Sequence, residues 1–513
     1  METSNKRILK NTIFLYIRMF IMMVLSFFTT RIVLQKLGAS DYGVYNVVGG
    51  FVSMFTLLNS ILQTGTNRFL ALSLGKGDKA NNKLTFSTAF VIHLLIAGIV
   101  FVLLESFGIW FLNSKLNIES SRLFAANWVF QLSVISCMLT ITQTPFTAAI
   151  TANEKFEIYA YLSIFDVILK VLIVYLLVVI HGDKLIVYAI LMLSSTFVTM
   201  SLNRYYCVRK FDECAFSLKL DKKLFKEMVL FSGWTTVGHL SAVLNGQGVN
   251  VLLNLFFGTI INASRGLAIT VVTTVKQFVG GFTTAAVPQL VKYYGMGDKE
   301  KFNKLVFNIS QVTLFLLAVF IVPIMLEIDY VLKLWLTEVP AYTSTFIKIS
   351  LILAFISYSN FMIDQAVNAI GRVKEMNLWV TPIYLIVVPI SYVILKEGGG
   401  PTTTYWVSSA PMIIALFLNL YILNRYYGFP VKDYLFRIVI KNLFFILLAS
   451  IVPLIVRYYM YPGLLRFIVV CLLSVLSTVI IMYYFALSND ARCIIRNKVN
   501  GVLLKMNNHI NVK

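Results

Sequence analysis

Five basic residues, Arg18, Lys170, Arg265, Lys276 and Lys348, stand inside apolar runs long enough to cross a bilayer. A charge at the bilayer centre costs roughly 2.5–3.5 kcal/mol on insertion scales, so such groups face a wet, protein-lined space or a partner. Arg265 and Lys276 are 11 residues apart. At about 100° per residue they return to within about 20° of one azimuth, about 16 Å apart along a helix. Two cations on one helix face can receive an anion, and Arg can hold two of its oxygens at once. The alternatives for them are pairing with a carboxylate between helices or, for Arg265, snorkelling to the membrane edge. Arg18 shares an azimuth with Asn11, Leu25 and Thr29, about 10 Å inside its run, where it serves either an entering anion or the headgroups. Lys348 only just enters its run and is expected to snorkel.

Three further sets carry chemistry. Asp166 and Lys170 are four residues apart on one run: they neutralise each other within a helix, or a proton or cation on Asp166 frees Lys170. Ser357, Asn360, Asp364, Asn368 and Gly371 follow at spacings of 3, 4, 4 and 3, a polar stripe whose carboxylate has no basic residue one turn away. Its oxygens suit a proton or a hard cation such as Na+, or else a hydrogen-bonded seam. Trp234, Gln247, Asn250 and Asn254 lie on an unusually polar run, with Gly233, Gly238, Gly246 and Gly248 to bend it or let it pack closely. Amides hydrogen-bond hydroxyls and an indole stacks on a sugar ring, so this run is a candidate sugar contact. His239 can titrate near neutrality, but a lone His is more often simply hydrogen-bonded. Glu105 and Glu327, near run ends, are assigned no chemistry.

The elements that position these groups are membrane helices. The chain has 513 residues, 58% hydrophobic and 13% charged, against about 25% charged in soluble domains. Fourteen runs are read as spans: 11–35, 43–65, 84–112, 123–150, 158–180, 185–206, 225–257, 260–290, 303–327, 345–371, 376–395, 402–424, 437–457 and 464–487. Helices are required because unpaired backbone amides in hydrocarbon cost several kcal/mol each, and continuous runs exclude a barrel. The polar stretches between them are too short for a soluble catalytic domain. The first run is too long for a signal peptide and lacks a cleavage site.

With the amino terminus placed in the cytoplasm, 30 Lys and Arg fall on that side and nine on the other. This is the positive-inside pattern. The net charge of +21 is therefore topological and implies no nucleic acid. Both ends are expected in the cytoplasm, and the basic tail 491–513 is expected to touch anionic lipid. The five cysteines form no C-x-x-C pair and the four histidines are scattered, so neither disulfides nor a metal site is expected. With no phosphate-binding loop either, no cofactor is implied and ATP is not hydrolysed.

An internal repeat orders the spans. Gly75-Lys-Gly-Asp-Lys79 returns as Gly295-Met-Gly-Asp-Lys299, 220 positions on, and Gly38 has Gly258 at the same offset. Lys155 and Lys374 follow at 219, Tyr175 and Tyr392 at 217. Six spans separate the copies, so both have one orientation, a parallel repeat as in rocking transporters. The expected architecture is an all-α membrane protein with lobes 1–210 and 211–430, accessory spans in 431–490 and a tail 491–513.

These residues resemble the multidrug/oligosaccharidyl-lipid/polysaccharide exporter (MOP) superfamily, and within it the polysaccharide-transport branch of Wzx-type O-antigen and capsule flippases. The likeness is carried by Leu37-Gly-Ala-Ser-Asp-Tyr-Gly-Val-Tyr45, by Gly75-x-Gly-Asp, and by Thr144-Pro-Phe-Thr-Ala-Ala-Ile-Thr-Ala-Asn-Glu-Lys155. It spans about residues 5–490. The resemblance implies export of undecaprenyl-diphosphate-linked oligosaccharide across a bacterial inner membrane by alternating access. Arg18, Lys276 and Arg265 would then receive the diphosphate, H+ or Na+ would couple through Asp166 or Asp364, and a polysaccharide polymerase would be a partner. Two rivals stand beside it. A cation-coupled multidrug exporter is disfavoured by the excess of basic over acidic residues in the spans. A membrane polymerase or ligase is disfavoured by the short outward loops.

Overall fold

The computed structural model describes the backbone of residues 2–76, 79–153, 155–215, 221–284, 287–490, 492 and 496. Within its helices the side chains of 2–24, 26, 56–62, 64, 68, 71–72, 75–76, 79, 156–157, 159–160, 163, 231–244, 281–282, 284 and 288 lie outside the description. The described residues form helices and turns with no strand. In chain order these are α1 (Glu2–Lys76), α2 (Ala80–Ser114), α3 (Ser120–Ala152), α4 (Phe156–Val179) and α5 (Lys184–Lys210). Then come α6 (Lys222–Phe257), α7 (Thr259–Thr284), α8 (Val287–Gly295) and α9 (Lys299–Trp335). The last five are α10 (Thr343–Ala369), α11 (Val373–Lys396), α12 (Thr403–Tyr427), α13 (Val431–Tyr459) and α14 (Leu464–Ala486).

Among the described residues nine of these, α2, α3, α5 and α9–α14, are long and apolar enough to cross a membrane. They coincide with nine of the fourteen spans expected. The other five expected spans, 11–35, 43–65, 158–180, 225–257 and 260–290, each contain residues outside the description.

Helix boundaries follow local chemistry. Asp183 caps α5 by accepting from the Leu185 and Ile186 amides, and Asp221 caps α6 through the Lys223 and Leu224 amides. Gly38 breaks α1 at φ 78°, ψ 169°, and Gly258 separates α6 from α7 at φ 78°, ψ −172°. The two glycines that the repeat pairs thus share one positive-φ conformation, which any other residue adopts only under strain.

The chain divides into two compact units. The first comprises Met1–Leu267, Leu336–Thr343 and Tyr384–Thr404, and the second Ala268–Trp335, Ser344–Ile383 and Tyr405–Lys513. These units and the lobes expected at 1–210 and 211–430 divide the chain differently, because α6 and the start of α7 pack on α1. In the first unit, Phe86 and Phe146 pack edge to face beside Leu70, Cys207 and Cys214, so these cysteines are apolar core. In the second unit α9 is the most enclosed membrane helix. Tyr434, fully buried, donates from Oη to the Ser359 carbonyl at 2.7 Å and bonds Ser310 Oγ at 3.0 Å. The hairpin of α13 and α14 packs on α9 and leaves wide apolar faces exposed, as a lipid-facing pair does.

Candidate functional site

In the first unit, small residues bring α1 against α6 and α7. A Cβ on Gly43 would overlap the Thr259 carbonyl oxygen, and one on Gly266 would stand 2.6 Å from Asn46 Oδ1. Only hydrogen at these α-carbons permits such approach. Amides then bridge the backbones. Asn250 Nδ2 donates to the Asn46 carbonyl at 3.1 Å, and Asn262 Nδ2 to the Asn250 carbonyl at 2.7 Å. Gln247 Nε2 donates to Ser53 Oγ at 3.2 Å. Asn254, with no exposed surface, accepts from the Asn117 amide at 2.8 Å and donates to its carbonyl at 3.3 Å.

Gln247, Asn250 and Asn254, expected from the sequence as sugar contacts, each hydrogen-bond protein groups here. In hydrocarbon a buried amide is stable only when so bonded, and the nearest partners are the backbones that the glycines admit. Arg265 stands beside them, buried, its Nη2 donating to the Gly246 carbonyl at 2.8 Å. The side chains of Arg18, Trp234 and His239 lie outside the described residues.

Asp166 and Lys170 form the ion pair that their spacing predicts, at 2.8 Å. Lys170 lines a cavity of about 210 Å³ together with Thr29, Tyr42, Asn46, Tyr45 and Tyr188. Unforeseen is a clamp built on Arg122: Nε donates to Asp41 Oδ1 at 2.7 Å and Nη1 to Asp183 Oδ2 at 2.7 Å. No sequence spacing signals it, because residues 41, 122 and 183 meet only when three helix ends converge. Burial alone would raise the Asp183 carboxyl pKa, but hydrogen bonds from Arg122 and from the Ile186 and Leu185 amides hold it below the ordinary value. At Asp41 burial outweighs Arg122, and the pKa is raised.

In the second unit Lys276 is half-buried, and among the described residues its ammonium meets no carboxylate. The Tyr358 hydroxyl donates to its backbone carbonyl at 2.7 Å. Lys348, expected to snorkel, pairs with Asp329 at 2.9 Å. The stripe on α10 is partly assembled: Asp364 Oδ2 faces Gln365 Nε2 at 3.3 Å and Asn368 Nδ2 at 3.4 Å. Asn419 of α12 donates to Asn360 Oδ1 at 3.2 Å. No basic group pairs with Asp364 among the described residues, so its oxygens can receive a proton or a cation. Glu327, assigned no chemistry from the sequence, is 1% exposed and paired with Arg466 at 3.0 Å.

No protein-family model matches the chain, and no curated protein matches it in sequence. Solved structures match in fold. The lipid II flippase MurJ in an inward closed conformation superposes with a TM-score of 0.67 at 15% identity, over 92% of this chain and 98% of that one. An inward-facing multidrug resistance MATE family transporter of the MOP superfamily gives 0.66 at 15% identity, over 80% and 96%. The MATE multidrug transporter DinF-BH gives 0.57 at 17% identity, over 79% and 92%. The described residues are all-helical, nine of the helices are those of a multi-pass membrane protein by length and composition, and the fold is shared with the flippase and MATE transporter structures.

Proposed function

We propose that this protein exports a polyprenyl-diphosphate-linked oligosaccharide from the cytoplasmic to the outer face of a bacterial inner membrane by alternating access. The observation that carries the reading is the half-buried ammonium of Lys276, which meets no carboxylate among the described residues, on the same helix as the buried guanidinium of Arg265. A cation held within hydrocarbon without a counter-ion stores unspent electrostatic attraction, and a passing diphosphate can draw on it. The charge sign favours an anionic cargo, and the fold shared with a lipid flippase is consistent with a lipid-linked one. In this reading Arg18 is the entry contact and Trp234 a sugar contact. The chain has fourteen spans in two like-oriented lobes plus an accessory pair, with both termini in the cytoplasm. It acts as a carrier and not an enzyme, and hands its cargo to a polysaccharide polymerase. Coupling to H+ or Na+ is assigned to Asp364, with Asn360 and Asn368, and to the Asp166–Lys170 pair.

The MATE likeness supports a second reading, a cation-coupled drug exporter. One experiment separates the two. A Lys276→Ala, Arg265→Ala double variant should fail to restore surface polysaccharide in cells lacking the protein, while being inserted in the membrane at normal levels. Full restoration removes the proposal. Lost resistance to cationic drugs with intact polysaccharide would establish the second reading.

A further inference from the structure

The turn between α13 and α14 borders a cavity of about 940 Å³, lined by Arg457, Arg466, Tyr458, Tyr459, Tyr461 and apolar side chains. Behind it stands the Glu327 carboxylate of α9. Arg466 Nη2 holds Glu327 Oε2 at 3.0 Å, whereas Arg457 Nε stays 3.9 Å from Oε1, beyond hydrogen-bond reach. Glu327 Oε1 and Arg466 Nε are buried without a hydrogen-bond partner among the described residues. The other carboxylate nearby, Asp329, is taken by Lys348 at 2.9 Å. Among the described residues three cations thus stand against two carboxylates, and the one that hydrogen-bonds neither carboxylate is Arg457, one-third exposed toward the cavity.

We propose that this cavity is a lipid site that takes the phosphodiester headgroup of an anionic phospholipid. A planar guanidinium matches two phosphate oxygens, and one spare charge matches the single charge of a phosphodiester better than the greater charge of a diphosphate. The cavity also lies at headgroup depth by its own composition. Tyr458, Tyr459 and Tyr461 are 84%, 78% and 94% exposed, the placement of tyrosines at a membrane–water boundary. Leu454, Ile455, Leu465 and Leu472 are exposed on the two helices that run away from the turn, a surface for acyl chains. The Glu327–Arg466 pair is the fixed floor, and Arg457 is the arm that meets the ligand. The site serves to hold the accessory hairpin in its leaflet and is independent of what the protein carries.

The test is lipid binding to the detergent-purified full chain by native mass spectrometry, with short-chain phosphatidylglycerol, phosphatidylcholine, polyprenyl diphosphate and inorganic phosphate as probes. Phosphatidylglycerol should bind at least about tenfold more tightly than phosphatidylcholine, and inorganic phosphate should not bind at matched concentration. Arg457→Gln should cost about tenfold in phosphatidylglycerol affinity, and Arg457→Lys should fall between it and the wild type, because an ammonium keeps the charge but not the planar fork. Because Arg466 still holds Glu327 in both variants, both should keep the wild-type melting temperature. Glu327→Gln adds one spare charge and should tighten binding. Unchanged affinity in Arg457→Gln, or inorganic phosphate or polyprenyl diphosphate binding there as tightly as phosphatidylglycerol, would overturn the proposal.

Discussion

Gly43 and Thr259 touch backbone to backbone: a single added methyl on Gly43 would overlap the Thr259 carbonyl oxygen. Gly49, six residues along α1, has nothing within 4 Å of the same point. Gly43→Ala should therefore force α1 off α7 and destabilise the protein by about 1–3 kcal/mol. Gly49→Ala should be neutral or stabilising by roughly 0.5–1 kcal/mol, since helical glycine is intrinsically costly. Thermal unfolding in detergent compares them, and equal effects would mean that the seam between α1 and α7 is not closed in solution.

Lys276 should matter through its charge. Lys276→Gln removes a charged hydrogen-bond donor with a net worth of about 1.5–3 kcal/mol, a loss of roughly 10- to 150-fold in cargo affinity. Lys276→Arg should retain most of it. Flux of a fluorescent polyprenyl-diphosphate glycan into proteoliposomes is the measurement, and equal flux in both variants would assign Lys276 a packing role.

Asn254 separates structure from recognition. Its side chain bonds both backbone groups of Asn117 and has no exposed surface. Asn254→Leu should cost about 1–3 kcal/mol of stability by leaving the Asn117 groups unpaired. The apparent KM for cargo should stay unchanged in the fraction that folds. A raised KM at unchanged stability would return Asn254 to the sugar-contact role first read from its sequence.

How much was legible follows from which groups act locally. Apolar runs announce the helices, because in hydrocarbon no other open structure pairs its own backbone. The Asp166–Lys170 pair was legible because four residues on a helix is a contact distance. Gly38 and Gly258 were legible as equivalent, and both have φ 78°. What the sequence concealed depends on convergence. Asn250 and Asn254 read as free amides until glycines on two helices brought backbone acceptors to them. Glu327, Arg457 and Arg466 looked like ordinary boundary charges, since 139 residues separate Glu327 from its closest partner. The Arg122 clamp needed three helix ends to meet.

That clamp gives a pH dependence with a definite sign. Asp183, with its folded pKa held below the unfolded value of about 3.9, contributes stability at neutral pH that is lost as pH falls through the folded value. Asp41, raised by burial, has the opposite sign: it takes up its proton at higher pH, and that protonation favours the folded state. Wild-type melting temperature should therefore not fall as Asp41 neutralises and should decline only on further acidification, through the folded value of Asp183. In Arg122→Gln two carboxylates face each other without a cation, so stability at pH 7 should drop by about 1–3 kcal/mol and recover partly as they neutralise. Parallel pH profiles for the two proteins would show that Arg122 does not govern this titration.

Asp364 tests coupling. Among the described residues it accepts only long hydrogen bonds, 3.3 Å from Gln365 and 3.4 Å from Asn368, so none of them competes strongly with an incoming proton or cation. Asn360, one turn away, is already tied to Asn419 on α12, which lets a change at the stripe reach a second helix. Asp364→Asn keeps the shape and the hydrogen-bonding capacity but cannot bind a cation by charge. In proteoliposomes with an imposed H+ or Na+ gradient, wild-type export should exceed the gradient-free rate several-fold, and the variant should run at the gradient-free rate under both conditions. A variant that still responds to the gradient would make the stripe a helix–helix seam and leave coupling to the Asp166–Lys170 pair.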